Sequence, residues 1–208
     1  MGVMQPGVMR IGRLERGRLT GARRQPKPTS RAESVTSGGV GSRWEGVPIL
    51  RIRVVIAGKV RERYLREGAA EYLKRLGPYA KVELVEVQDE PVPERASEKD
   101  LASARDVEAE RILRAVRDGD YLVAMDIRGK QMSSEDLSRW LQERSLAGDS
   151  SLVFAIGGTT GLSDAVLKKA RLRLSMGPMT FPHQFMPLLL LEQLYRAVKI
   201  GEGEPYHR

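Results

Sequence analysis

Three glycines in FAIGGTTGLSD, at positions 157, 158 and 161, follow an apolar run and precede a serine at 163. Glycines placed this way let backbone approach a ligand closely and leave N–H groups to point at it. The spacing is G-G-x-x-G. It fits neither the dinucleotide pattern nor the phosphate loop, because Leu162 stands where the latter needs Lys-Ser/Thr. A dinucleotide or nucleoside-triphosphate site is disfavoured, and a tight strand-to-helix turn with no ligand explains these glycines equally well. A second stretch, SMGPMTFPHQF at 175–185, carries Gly177, Pro178, Pro182 and one of the two histidines, His183. The prolines fix backbone angles and remove two donors, so the loop holds one shape and its remaining N–H and C=O groups can read a ligand edge. Met176, Met179 and Phe181 can supply an apolar wall; for the two methionines, ordinary core packing is the simpler reading. For His183, a hydrogen bond that holds the loop outweighs a role as catalytic base.

The chain ends EPYHR. Tyr206, His207 and Arg208 together can stack on a base, exchange a proton and bind phosphate, although a frayed terminus is the plain reading of composition alone. There is no cysteine, and His183 and His207 are the only histidines. Disulfides, thiolate nucleophiles and thiolate metal sites are therefore excluded, and no carboxylates stand at ligand spacing, so metal chemistry is not expected.

The elements that must position these loops read as an alternation. ILRIRVVIAG is rich in β-branched residues and closes on Gly58. A helical pattern over 59–77 follows, stopped by Gly77-Pro78, and then the strand-like KVELVEV. Residues 98–117 read as an amphipathic helix presenting Leu101, Val107, Ile112, Leu113 and Val116, its charges a solvated face. YLVAMDI and SLVFAI are nearly continuous apolar runs, as buried central strands require. Between them Ser133 can cap a helix through Leu137, Trp140 and Leu141, with Asp136 at the reciprocal position. Strands and helices alternating in this way predict an α/β fold, a mainly parallel sheet with helices on both faces. Ligands in such sheets sit beyond the carboxyl ends of the strands, where three loops qualify: DIRGK at 126–130, GGTTGLS at 157–163, and 175–185. The following PLLLLEQLYRAVKI is apolar almost all round, with Pro187 suited to the first helical position and Glu192–Arg196 spaced as an ion pair. So much leucine must be sandwiched, within one chain or against a second subunit.

Net charge is +8, of which residues 1–50 contribute +6, leaving +2 for the remainder. Basicity is thus modest evidence that the folded part binds nucleic acid. Residues 1–48, rich in Gly, Pro, Ser and Arg, read as a disordered basic extension ahead of one domain at 49–208. An organelle transit segment, an RNA-binding tail or an upstream start each accounts for it. No apolar run has the length of a membrane span, so a soluble protein is expected.

The C-terminal pieces IGGTTGLS, LSMGPMTFPHQF, LLLEQLYRAVKI and EPYHR, with KRLGPYAKVELVEV and DIRGKQMSSEDL before them, resemble the H-type ribosomal RNA large-subunit methyltransferase family of the SPOUT class. The resemblance runs from about residue 50 to the end, and motif order and spacing agree throughout. It implies a C-terminal trefoil knot, one of the rare exceptions to unknotted topology. It implies S-adenosyl-L-methionine as methyl donor, held by Met125, Gly157, Met176, Gly177, Pro178, Met179, Thr180 and Phe181. The implied reaction is methylation of N3 of a pseudouridine in large-subunit rRNA, on the assembled ribosome, by a homodimer in the cytoplasm. His207 is the candidate general base, Tyr206 positions the target base, and Arg196 and Arg208 engage phosphate or the uracil carbonyls. The chain departs from the family at Met125, where leucine is usual, and at Pro187, where arginine is common. A non-catalytic RNA-binding or ribosome-assembly protein on the same fold is the alternative; a nucleotide-dependent metabolic enzyme is a third class, weakened by the missing nucleotide motifs.

Overall fold

Ile52, Val54 and Ile56 point to one face of the strand Leu50–Ala57 (β2), and Val55 and Ala57 to the other, all without solvent exposure. A strand buried on both sides has to lie at the centre of a layered α/β sheet. The computed structural model describes residues 49–204 and the backbone of a short strand at Gly7–Met9 (β1). Within the extension expected to be disordered, β1 pairs antiparallel with Ala80–Val87 (β3), matching Gly7 with Glu86 and Met9 with Leu84. The rest of that extension, and Tyr206, His207 and Arg208, lie outside the described residues.

The sheet is completed by Tyr121–Gln131 (β4), Ser151–Ile156 (β5) and Leu172–Ser175 (β6), in the order β1-β3-β2-β5-β4-β6. Every pairing except β1 with β3 is parallel. This is the expected α/β architecture. Helices Arg63–Leu76 (α1), Ser134–Leu146 (α3) and Met186–Gly201 (α5) cover one face, where Leu65, Leu73, Leu137, Leu141 and Leu194 meet Ile52, Val54 and Phe154. Helices Glu98–Arg114 (α2) and Asp164–Lys169 (α4) cover the other, with Ala109, Ile112 and Val166 against Val55, Val85 and Val153.

The helix starts follow local chemistry. Ser97 and Ser133 each accept from the backbone N–H three residues on, and Asp100 and Asp136 return the bond, two reciprocal capping boxes. Asp136 is as expected; Ser97 with Asp100 is an additional case. Ser163 accepts from Ala165 N–H and starts α4. Pro187 occupies the second position of α5 rather than the first, since Met186 begins it. Leu190, Leu191, Leu194, Ala197 and Val198 are buried within the single chain, because α1 and α3 clasp α5. Gly68 permits that clasp: a Cβ there would come within 3.1 Å of Leu188. At the opposite end of the sheet Asp120 is a hub, paired with Arg53 and accepting from Ser151 Oγ at 2.6 Å and Arg117 N–H at 2.6 Å.

One element differs from expectation in a way that matters. DIRGK, expected as a loop, is the second half of β4, which runs to Gln131. Its pairing with β6 breaks, however: Met125 and Lys130 both face Leu174, so Asp126 to Gly129 bulge out between them. Gly129 lies flat against the β6 backbone, where a Cβ would come within 2.6 Å of Arg173 carbonyl carbon. A strand that bulges at its carboxyl end re-aims side chains toward the crevice beyond it.

Candidate active site

Strands β5, β4 and β6 are neighbours and parallel, so their carboxyl ends emerge side by side. The bulge of β4, the glycine turn after β5 and the proline loop after β6 meet there around a cavity of about 720 Å3. That volume lies within the range of roughly 300–1,000 Å3 that suits small molecules. Met125, Gly157, Met176, Gly177, Met179, Thr180 and Phe181 line it. Pro178 stands in the same loop but does not line the cavity, and Arg196 lies on α5 away from it, bonded to Glu192 at 2.6 Å.

The glycine turn is folded on itself. Gly161, at φ +84°, donates to Gly158 carbonyl at 3.1 Å. A Cβ on Gly157 would lie 2.3 Å from the carbonyl carbon of Gly161, so no larger residue fits there. Of the two readings open for these glycines, N–H groups free for a ligand or a tight turn, the bonds of Gly158 and Gly161 N–H fit the tight turn: both are made inside the protein. Gly158 N–H donates to Glu108 Oε2 at 3.4 Å, while Glu90 N–H donates to Glu108 Oε1 at 3.0 Å. Glu108 is buried at 4 % exposure and ties the loop after β3 to the turn after β5. Burial pushes its carboxyl above the usual range, and the nearby Asp89 adds to this, against the bonds from Glu90 and Gly158 N–H and the charge of Arg111. Glu108 was hidden among the charges read as a solvated face. A signal was present: it stands midway between Ala104 and Ile112, four residues from each, on the buried stripe of α2.

The proline loop is pinned just as closely. Ser175 Oγ accepts from Gly177 N–H at 3.1 Å and lies 3.1 Å from the carbonyls of both Ile127 and Gly177, so its proton bonds either one. It sits within hydrogen-bond reach of both the bulge of β4 and the proline loop. Gly177 has φ +115°, a conformation that side chains resist. Phe181 and Phe185 stack at 6.4 Å between centroids, and Gln184 accepts from Arg61 N–H at 2.9 Å. His183 lines the cavity, its Nε2 facing the same side of Gly58 as the Asp89 carboxylate, and its carbonyl accepts from Met186 N–H at 3.3 Å.

Chemically the cavity is two-sided. Met125, Ile156, Leu162, Leu174 and Met176 offer an apolar surface suited to a flat ring. Two buried polar atoms of lining residues, Asp126 Oδ2 and Thr160 Oγ1, have no hydrogen-bond partner among the described residues. Buried polar groups are normally satisfied, so the carboxylate oxygen calls for a donor and the hydroxyl for a donor or an acceptor. An amphipathic molecule with an aromatic ring, hydroxyls and a charged end fits this donor set and volume.

A family model described as "Predicted SPOUT methyltransferase" matches residues 50–207. "Ribosomal RNA large subunit methyltransferase H" of Symbiobacterium thermophilum is 54% identical over 161 residues, covering 76% of this chain and all of that protein. The protein of the same name from Carboxydothermus hydrogenoformans is 49% identical over 159 residues, again covering 76% of this chain and all of the relative. Among solved structures, the SpoU methyltransferase AviRb of Streptomyces viridochromogenes, in complex with AdoMet, aligns at 15% identity with a TM-score of 0.38, over 84% of this chain and 64% of that one.

Proposed function

We propose, from the premise that this chain belongs to the SPOUT methyltransferase family, that it transfers the methyl group of S-adenosyl-L-methionine to N3 of a pseudouridine in large-subunit rRNA, presented by the assembled ribosome. One observation carries the donor assignment. The residues that the family resemblance assigns to the cofactor, Pro178 apart, converge on a single cavity of suitable size with an apolar wall and unsatisfied polar atoms. The rRNA target is supported by the relatives' names, and the position on the base by the family resemblance.

S-adenosyl-L-methionine, when bound, supplies a methyl group made electrophilic by its sulfonium, so the protein's task is mainly alignment. Met125, Leu174 and Met176 would hold the adenine, and the loop 176–181 would close over it. Ser175 and Glu108 keep those loops in register before any ligand arrives, which lowers the ordering cost of binding. N3 of a uracil-type ring carries a proton that has to leave before or during attack. His207 is the proposed base and Tyr206 the proposed platform for the ring. Arg196, with Nη2 and Nε held by Glu192 at 2.6 and 3.1 Å, is aimed rather than free, and together with Arg208 would engage phosphate or the uracil carbonyls. In the proposed homodimer one subunit's terminal residues serve the cavity of the other. The trefoil knot and the cytoplasmic, ribosome-associated setting belong to the same proposal. No helix among the described residues is long and apolar enough to cross a membrane.

Calorimetry with S-adenosyl-L-methionine tests the reading at its base. Saturable heat at one site per chain is expected; no heat would leave the RNA-binding, non-catalytic protein as the better description. His207→Ala should keep that heat and lose turnover on ribosomes, and full turnover would remove His207 as base.

A further inference from the structure

Asp126 is the one carboxylate residue lining the cavity that has a side-chain oxygen, Oδ2, both buried and without a hydrogen bond among the described residues. Its side chain is 9% exposed. Oδ1 accepts the Arg128 N–H at 3.1 Å, which fixes the side chain within the bulge of β4. Oδ2 has only Arg173 Nη1, at 3.9 Å, beyond hydrogen-bond reach. Arg128 and Arg173 are themselves 77% and 45% exposed, so water shares their charge and they compensate the carboxylate weakly. Leaving a charged acceptor dry and unbonded is costly for a folded chain. The bulge imposes that arrangement: Gly129 against the β6 backbone and Ser175 Oγ within reach of Ile127 carbonyl hold Asp126 at the cavity wall. Thr160 Oγ1 is a second unbonded atom on the same cavity.

We propose that Asp126 Oδ2 is a binding residue for the methyl donor, accepting a hydrogen bond from one of its N–H or O–H groups and fixing how the donor lies in the cavity. The inference rests on the donor assignment made above. Two groups of S-adenosyl-L-methionine have the required chemistry, the ribose hydroxyls and the ammonium of the amino-acid end. Thr160, whose hydroxyl can donate or accept, completes the polar side of the site. Burial without a partner is tolerated in the free protein because the ligand satisfies the group on binding, a strain stored at a site of function.

The test is calorimetry on Asp126→Asn with two probes, S-adenosyl-L-methionine and 5′-methylthioadenosine, which keeps the nucleoside and lacks the amino-acid end. Asparagine has one acceptor oxygen, so it cannot serve Arg128 N–H and the ligand together. Affinity for S-adenosyl-L-methionine is expected to fall by roughly 10- to 100-fold, the loss typical of a bond to a charged acceptor. An equal fall for 5′-methylthioadenosine assigns the bond to the ribose; a fall confined to S-adenosyl-L-methionine assigns the interaction to its cationic end, which 5′-methylthioadenosine lacks. Thermal melting of the free variant separates binding from structure. Removing a buried charge that exposed arginines compensate only weakly should leave the melting temperature unchanged or raised. Unchanged affinity for both probes, or a lowered melting temperature alongside lost affinity, would overturn the proposal. If the wild-type chain binds neither probe, the donor assignment itself fails, an outcome distinct from normal binding by both proteins.

Discussion

At the scale of single residues, the site depends on atoms packed too closely to be altered. Gly157 is the sharpest case, since Ala there would drive a Cβ to 2.3 Å from the carbonyl carbon of Gly161. Gly157→Ala should force the turn open, at about 1–3 kcal/mol of stability for overpacking. Donor affinity should fall at least 10-fold by calorimetry, and an unchanged affinity would show that the turn does not shape the pocket. Glu108 behaves differently, because its cost varies with pH. Burial raises its folded pKa above the ordinary carboxylate value. The folded chain therefore holds that proton more tightly than the unfolded chain does. Its contribution is fully present below the unfolded value of about 4.3 and is lost as pH rises from there through the raised folded value. Glu108→Gln removes this titration while keeping one acceptor for Gly158 or Glu90. The melting temperature of the variant relative to wild type should climb between acid and neutral pH. A pH-independent offset would assign Glu108 no titrating role.

At the scale of elements, α5 buries Leu190, Leu191, Leu194, Ala197 and Val198 against its neighbours. Leu194 is fully buried between α1, α3 and the sheet. Leu194→Ala should cost about 2–5 kcal/mol, read as a lowered denaturant midpoint with the slope unchanged. Much of this layer was legible in the sequence, since the β-branched run of β2 and the unbroken apolar runs in β4 and β5 identify strands from residue type alone. Ser133 with Asp136 announced α3 as plainly. The bulge of β4 was not legible. DIRGK carries glycine and charges, the usual marks of a loop, and only the close contact of Gly129 with β6 shows why the chain stays extended there. Nor did sequence distinguish Gly158 N–H, bonded to Glu108, from a group free to meet a ligand, because that depends on which turn of α2 passes beneath it. Pairings across 50 residues of chain are tertiary facts that local pattern does not encode.

At the scale of the whole molecule, the parallel sheet explains why chemistry concentrates at one end. Adjacent carboxyl ends of β4, β5 and β6 bring three loops together, and Ser175 and Glu108 stitch two pairs of neighbouring loops. The opposite end is closed by the Arg53–Asp120 hub, a stabilising counterpart with no ligand-facing atoms. The division is that of doubly wound sheets, rigid below and receptive above. The most direct measurement is made on ribosomes that lack the methyl group. Incubating them with the full chain and isotopically labelled S-adenosyl-L-methionine, then digesting the rRNA and identifying the labelled nucleoside by mass spectrometry, tests donor, target and atom at once. The account predicts label on N3 of one large-subunit pseudouridine, approaching one per ribosome. Label on any other nucleoside, or none from a chain that binds the donor, would contradict it.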